Sequence, residues 1–381
     1  MALIGIDASR ANAHERTGTE WYSYELIQAL KKTQVPGLEF LLYSKKFLHD
    51  GLEQFPSGWN GKILYWRTQR FWNQFRLSWE LWRHPVDVFF QPTHTLPLFT
   101  PKRVVTTLHD IGFERLPKLY RPAELRYHRY SAQLAVSRAN RILTVSEFSR
   151  QEIIDRYKLP PERVIATPLA VDTNRYRPDI SDEEKDAVLM KYRLSRPYFI
   201  YAGRIEEKKN IVNLVHAFSI FKSVRGVGDP VKLLLVGTPG FGFERVKKEI
   251  AARKLESSVL MPGYVPEADM PTLVAAAKIL LLPSWYEGFG LPILQGQACG
   301  TPVIASRAAS MPEVGGDAAL YARPDEPEDI ARCMKTLMDE SSEWERRRAL
   351  GFENAKRYSW DETARRTMNV LLEVLGIQHQ L

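Results

Sequence analysis

Cysteine is nearly absent. Two thiols in 381 residues, Cys299 and Cys333, exclude a disulfide-stapled fold, and neither sits in a metal-ligand spacing, so each reads as a buried structural thiol. Long apolar runs are missing too. The stretch "ILLLPSW" near Ile279 falls far below membrane-spanning length and Pro283 interrupts it. The opening "MALIGIDASR" meets Asp7 after a run too short for a signal peptide, so the expectation is a cytoplasmic protein, with peripheral membrane contact left open. There is no internal repeat, no GxGxxG dinucleotide fingerprint and no acidic metal-binding motif. The formal charge of +8 favours an anionic partner: nucleic acid, an acidic membrane surface or a phosphate-bearing small molecule. With no recognised nucleic-acid motif, the first of these rests on charge alone.

What is present is alternation. "ALIGIDAS", "EFLLYS", "DVFFQP", "RVVTTLHD", "RILTVS" and "RVIATPLAV" are short runs apolar on both faces, with helical patterns between several of them. Such runs predict parallel strands covered by helices, hence an α/β, doubly wound sheet. The polar, turn-rich stretch 174–197 carries no strand signal and reads as an interdomain connection. A second series follows it: "YFIYAG", "KLLLVG", "VLMPGYV", "ILLLPS", "PVIAS" and "AALYA". The expected organisation is two Rossmann-like domains, 1–173 and 174–358, and a closing helix over 359–381.

Three loops carry chemistry. Gly18 precedes a helix expected to begin near Thr19 or Glu20, where free backbone amides suit an anion, although from this stretch alone an ordinary strand–helix turn is the commoner reading. Arg204 and Lys209 follow the strand "YFIYAG" within one short loop, where open α/β sheets bind ligands and where two cations suit a pyrophosphate. A solvated basic turn neutralised by Glu206 and Glu207 is the competing reading. Third, "YEGFGLPILQGQA" delivers Glu287 onto a turn with Gly288 and Gly290, followed by a helix over Leu291–Ala298. A carboxylate at 287 and an amide at Gln295 on that helix can bind hydroxyls at two places on one elongated ligand.

"GRIEEKKN", "GYVPEADMPTLVAAAKILLLPSWYEGFGLPILQGQACGTPVIAS", "SMPEVGGDAALY", "TLHDIGF", "RILTVSEFSR" and "YSWDETARRT" together resemble the retaining family-4 (group 1) glycosyltransferases of the glycosyltransferase-B fold. Within them the chain is similar to mannosyltransferases of surface-polysaccharide assembly. The resemblance implies two domains facing a cleft, the N-terminal one on the acceptor side, with the last helix crossing back to it. It implies that Arg204 and Lys209 meet the donor diphosphate, that Glu287 bonds donor-sugar hydroxyls, and that Gly288, Phe289, Gly290 and Leu291 form the turn facing sugar and phosphates. It places the Val265 main chain near the nucleobase, His109 near the donor sugar and Gly18 near the diphosphate. Without it, His109 would read as a core imidazole. The implied partners are a nucleotide-sugar donor, best GDP-mannose, and a saccharide or lipid-linked acceptor. No metal or other cofactor is expected, because the cation pair replaces one. A nucleotide-sugar-binding subunit without turnover and an epimerase of the same fold are the rivals.

Gln295 departs from that pattern, whose second acid binds ribose hydroxyls. An amide keeps an acceptor and gains a donor but loses the charge-assisted part of the bond, on the order of 1 kcal/mol. Elsewhere, segment 59–85 holds five of the nine tryptophans. On a regular helix Trp72, Phe75, Trp79 and Trp82 share one face flanked by Arg76 and Arg83, which the default reading makes core and the functional reading makes a surface for a lipid-linked acceptor or an anionic membrane.

Overall fold

The computed structural model describes residues 1–33, 35–67, 71–226 and 228–377. Thr68, Gln69 and Arg70 of the tryptophan-rich segment, and 378–381 of the closing segment, lie outside the described residues.

The chain divides into two units. The first comprises Met1–Arg115, Pro122–Leu169 and the stretch from Ser359 onward; the second comprises Leu116–Arg121 and Ala170–Tyr358. Among the described residues the first unit holds seven parallel strands: β1 (Ala2–Asp7), β2 (Leu38–Ser44), β3 (Trp59–Ile63), β4 (Val88–Gln91), β5 (Val104–Thr107), β6 (Arg141–Thr144) and β7 (Val164–Ala166). Their order is β3-β2-β1-β4-β5-β6-β7, so the winding reverses between β1 and β4. Ile6 lies level with Leu42 on one side and Phe90 on the other. Ile4, Ile6, Phe89 and Phe90 are fully buried, as central strands covered on both faces require.

The second unit repeats the plan with β8 (Tyr198–Ala202), β9 (Lys232–Val236), β10 (Val259–Gly263), β11 (Ile279–Leu282), β12 (Val303–Ser306) and β13 (Leu320–Ala322), ordered β10-β9-β8-β11-β12-β13. Every residue of β8 is buried. On one face Phe199 packs against Phe218 and Phe221 of the helix Ile211–Arg225, ring centroids 6.1 and 5.1 Å away. Each such side chain contributes roughly 1.5–3 kcal/mol by leaving water. The α/β fold of two doubly wound, Rossmann-like domains is thus the one the buried runs foretell.

Two regions differ from expectation. The stretch 174–197, read as a bare connection, contains a helix, Asp182–Lys191, closed at its start by a capping box between Ser181 and Glu184. Its one buried residue, Leu189, left no apolar periodicity to read. The tryptophan-rich segment does not put its four aromatics on one face. Trp72–Leu77 is a π-helical turn leading into the α-helix Ser78–Arg83. The five-residue step of that turn carries Trp72 into the buried row with Leu77 and Leu81, whereas Phe75, Trp79 and Trp82 stay exposed.

The helix Trp360–Leu375 belongs to the first unit. Ser359 caps it by accepting the Glu362 amide, and Gly376, at φ +80°, ends it in the left-handed conformation. Thr363 Oγ1 donates to the Pro168 carbonyl at 2.5 Å, and Ala364, Met368 and Leu371 are fully buried.

Candidate functional site

In an open α/β sheet the crevice for a ligand opens at the strand C-termini where the winding reverses. In the second unit that point lies between β8 and β11, which are hydrogen-bonded neighbours. The loop after β8 carries Arg204 and Lys209; the loop after β11 carries Glu287. Fold topology therefore brings together two stretches some eighty residues apart in sequence.

The β8 loop is held firmly. Ile205 donates to the Thr238 carbonyl at 3.0 Å, Gly240 to Ile205 at 2.8 Å and Glu207 to Phe241 at 2.7 Å. Asn210, left-handed at φ +60°, starts the following helix and sends its amide to the carbonyls of Pro283 (3.0 Å) and Pro324 (2.6 Å), joining the β8 and β11 exits. On this frame Lys209 Nζ lies 2.6 and 2.8 Å from the two oxygens of Glu287. Ser284 Oγ donates to the same carboxylate at 2.6 Å. Ser310 Oγ donates to the carbonyls of Glu287 (2.9 Å) and Phe289 (3.1 Å), fixing the turn from below.

Lys209 and Glu287 keep 17% and 13% of their side-chain surface, enough to be reached from solvent and little enough for a low local dielectric. Arg204 is 56% exposed and contacts Glu206 only at 3.7 Å. Glu207 pairs with Arg245. The acids of this loop offset its outer cations only: Glu206 lies 3.4 Å from Lys208 as well as 3.7 Å from Arg204, whereas Lys209 is matched by Glu287, from the loop after another strand, and Arg204 stays mostly turned to water. Burial beside Glu287 and Glu206 holds the Tyr201 hydroxyl protonated, well above its usual range, and it donates to the Arg204 carbonyl at 3.0 Å.

The remaining residues expected at the site fall as follows. Gly288, Phe289 and Gly290 are buried; Phe289 meets Tyr358 edge-on at 5.7 Å, and Gly290, at φ +92°, caps the helix Leu291–Ala298 from a conformation glycine alone adopts easily. Leu291 opens that helix, and Gln295 lies one turn along it, about 6 Å further up the axis, partly exposed. Its neighbour Gln297 is structural: buried, it donates to Gly315 and accepts from Asn354. Val265 is buried two residues beyond β10.

In the first unit, Gly18 is the first residue of the helix Gly18–Lys32, slightly earlier than expected, with Thr17 as its cap. The Glu20 carboxylate already sits at this helix start, accepting from the Thr17 amide at 3.3 Å and pairing with Arg10 at 2.9 Å. His109 follows β5, half-buried, its ring edge-on to Tyr22 at 4.6 Å. Its Nε2 lies 3.2 Å from the Pro92 carbonyl, which can only accept, so Nε2 carries the proton and Nδ1 is the acceptor. Burial lowers the pKa of His109 and keeps the ring neutral. The reading of the sequence missed Ser284, Ser310 and Asn210; a hydroxyl three residues before Glu287 was the available signal for the first. Also unread was His94, which burial, with the nearby His128 and His109, pushes down to about 3. Among the described residues, no three His, Cys, Asp or Glu side chains cluster to hold a metal ion.

The fold matches sucrose-phosphate synthase from Thermosynechococcus elongatus (TM-score 0.77, 16% identity, 99% of this chain and 100% of that one) and Anabaena HepE in complex with UDP and glucose (TM-score 0.74, 18% identity, 97% and 99%). This is the glycosyltransferase-B architecture. The profile described as "Glycosyl transferases group 1" matches residues 184–357, and "Glycosyltransferase Family 4" matches 16–175. The O-antigen chain mannosyltransferase B of Escherichia coli is 34% identical over 96% of this chain and 98% of its own length. The MMP alpha-(1->4)-mannosyltransferase of Mycolicibacterium hassiacum is 27% identical over 60% of this chain, a match spanning 53% of that protein. The chain belongs to the group 1 glycosyltransferases.

Proposed function

We propose that this glycosyltransferase is a retaining hexosyltransferase moving mannose from GDP-mannose to a hydroxyl of a saccharide or lipid-linked acceptor in surface-polysaccharide assembly. It would work in the cytoplasm, at the membrane's inner face. The observation that carries the reaction is the Lys209–Glu287 pair at the β8/β11 switch point; the full-length similarity to an O-antigen mannosyltransferase carries the sugar. In the reaction the bond from the sugar's anomeric carbon to the diphosphate breaks, the acceptor oxygen bonds to that carbon, and the acceptor proton passes to the leaving phosphate. Arg204 and Lys209 offset the charge growing on the diphosphate, in the place a divalent cation would otherwise take. Glu287 accepts from sugar hydroxyls, the turn Gly288–Leu291 approaches sugar and phosphates with its backbone, and Val265 borders the base. On the same reading Gly18 would approach the diphosphate, and His109 Nδ1 would accept from a donor-sugar hydroxyl.

A thermal-shift screen of sugar nucleotides tests the donor. GDP-mannose at a hundred times its Kd should add about 2.7 kcal/mol of stability. A response to UDP-sugars alone removes GDP-mannose, and no response to any sugar nucleotide removes the transferase reading. Product analysis without acceptor separates slow hydrolysis from epimerisation, and a bound but unchanged donor would mark a non-catalytic subunit.

Gln295 tests the placement of the helix against the ribose. Gln295→Ala should raise donor KM several-fold, roughly 1 kcal/mol, with kcat nearly unchanged. An unaltered KM takes the side chain off the nucleotide.

A further inference from the structure

The π-helical turn and the short helix after it present an unusual surface. Phe71, Phe75, Trp79 and Trp82 are 61, 55, 51 and 62% exposed, and follow one another at steps of four, four and three residues along the outer side. The Phe99 amide donates to Ser78 Oγ at 3.2 Å, which sets the exposed Leu98 and Phe99 beside the same helix. Large aromatics in such continuity on a water-facing helix mark a surface that meets something. The inner side of the helix, Trp72, Leu77 and Leu81, is already committed to the core with Tyr43, Val86 and Phe89.

Charge identifies the partner. Within 71–84 the only carboxylate is Glu80, buried and neutralised by Lys62 at 2.6 Å and Arg76 at 2.9 Å. Within 95–103 there is none. The exposed charges in these two stretches are the cations Arg83, Lys102 and Arg103, and the Arg76 guanidinium lies 5.1 Å over the Trp79 ring. An isologous contact between two copies would set basic rim against basic rim. Aromatic rings bordered by arginine and lysine match the boundary of a bilayer, where rings lie at the headgroup level and cations meet lipid phosphates.

We propose that this face, centred on Phe75, Trp79 and Trp82 and bordered by Arg83, Lys102 and Arg103, seats the protein on an anionic phospholipid surface. The helix lies in the interface; among the described residues no helix is long and apolar enough to cross a membrane. The inference is independent of which donor the enzyme uses.

Co-sedimentation of the full chain with vesicles tests it. The parent should pellet with vesicles containing phosphatidylglycerol and stay largely free with phosphatidylcholine alone. Trp79→Ala with Trp82→Ala should weaken partitioning about tenfold or more, and Arg83→Ala about fivefold. Arg76 is a poor choice for substitution, since it neutralises buried Glu80. The tryptophan changes remove only half-exposed rings, so circular dichroism and nucleotide affinity should match the parent, and Arg332→Ala, on the other unit, should bind vesicles as the parent does. A parent that ignores anionic vesicles overturns the proposal, as do tryptophan variants that bind equally. A parent dimer that Trp79→Ala with Trp82→Ala dissolves would overturn it in favour of self-association.

Discussion

Lys209→Ala should lower turnover by two to three orders of magnitude, about 2.7–4 kcal/mol of transition-state stabilisation, while the protein stays folded. The ammonium is held in place before any donor arrives, by both oxygens of Glu287 at 2.6 and 2.8 Å. A donor diphosphate therefore meets a cation that needs no searching, and the carboxylate it partly releases becomes available to sugar hydroxyls. Removal of the lysine also leaves Glu287 with Ser284 as a remaining donor, which costs stability in its own right. The variant Lys209→Ala/Glu287→Ala separates the two effects: it should recover much of the lost stability and none of the activity. Arg204→Ala should lose rate comparably with almost no change in melting temperature, because that side chain is mostly exposed and its ion pair with Glu206 is a long one, at 3.7 Å. Donor-dependence kinetics beside thermal unfolding measure both. Near-parent turnover in Lys209→Ala would remove the pair from the mechanism.

Gly237→Ala should be the most damaging single methyl in the second unit. A Cβ there would stand 1.9 Å from the Gly203 carbonyl oxygen, at a backbone φ of +144° that side chains rarely accept. Both obstacles are backbone, so no rotamer change relieves them. The expected cost is about 3 kcal/mol or more. Position 237 is the β9 exit and Gly203 the β8 exit, one residue before Arg204, so relaxation would drag the arginine with it. Donor affinity should therefore fall together with stability, whereas Gly226→Ala, at the C-terminal cap of the helix Ile211–Arg225 and strained only by its own φ of +88°, should leave donor affinity untouched. Parent-like melting and donor binding in Gly237→Ala would show that the two loops do not depend on that close approach.

These two positions also show what a single sequence makes legible. Glu287, Arg204 and Lys209 could be singled out because each follows a fully buried strand, and strands such as "YFIYA" and "ILLL" announce themselves by apolar runs. The bond between Lys209 and Glu287 could not be read, since it depends on β8 and β11 being neighbours although β9 and β10 intervene in sequence. Asn210 was invisible for a related reason: its partners, the carbonyls of Pro283 and Pro324, are backbone groups of distant loops. The helix Asp182–Lys191 was legible and overlooked, because "SDEE" is a capping-box signature even where apolar spacing is absent. The π-turn was not legible. Regular helical spacing put Trp72 with Phe75, and one extra residue per turn moved it to the core.

The helix Trp360–Leu375 adds a constraint of timing. Its buried face, with Ala364, Met368 and Leu371, packs against the helix Gly18–Lys32 and the strands β4, β5 and β6. On the ribosome those partners emerge early, and their cover is made after the whole second unit. At about 5–20 residues per second, the roughly two hundred intervening residues take on the order of ten to forty seconds. For that interval the second unit can close on itself, whereas the first carries an uncovered apolar strip, the surface a nascent-chain chaperone would have to shield.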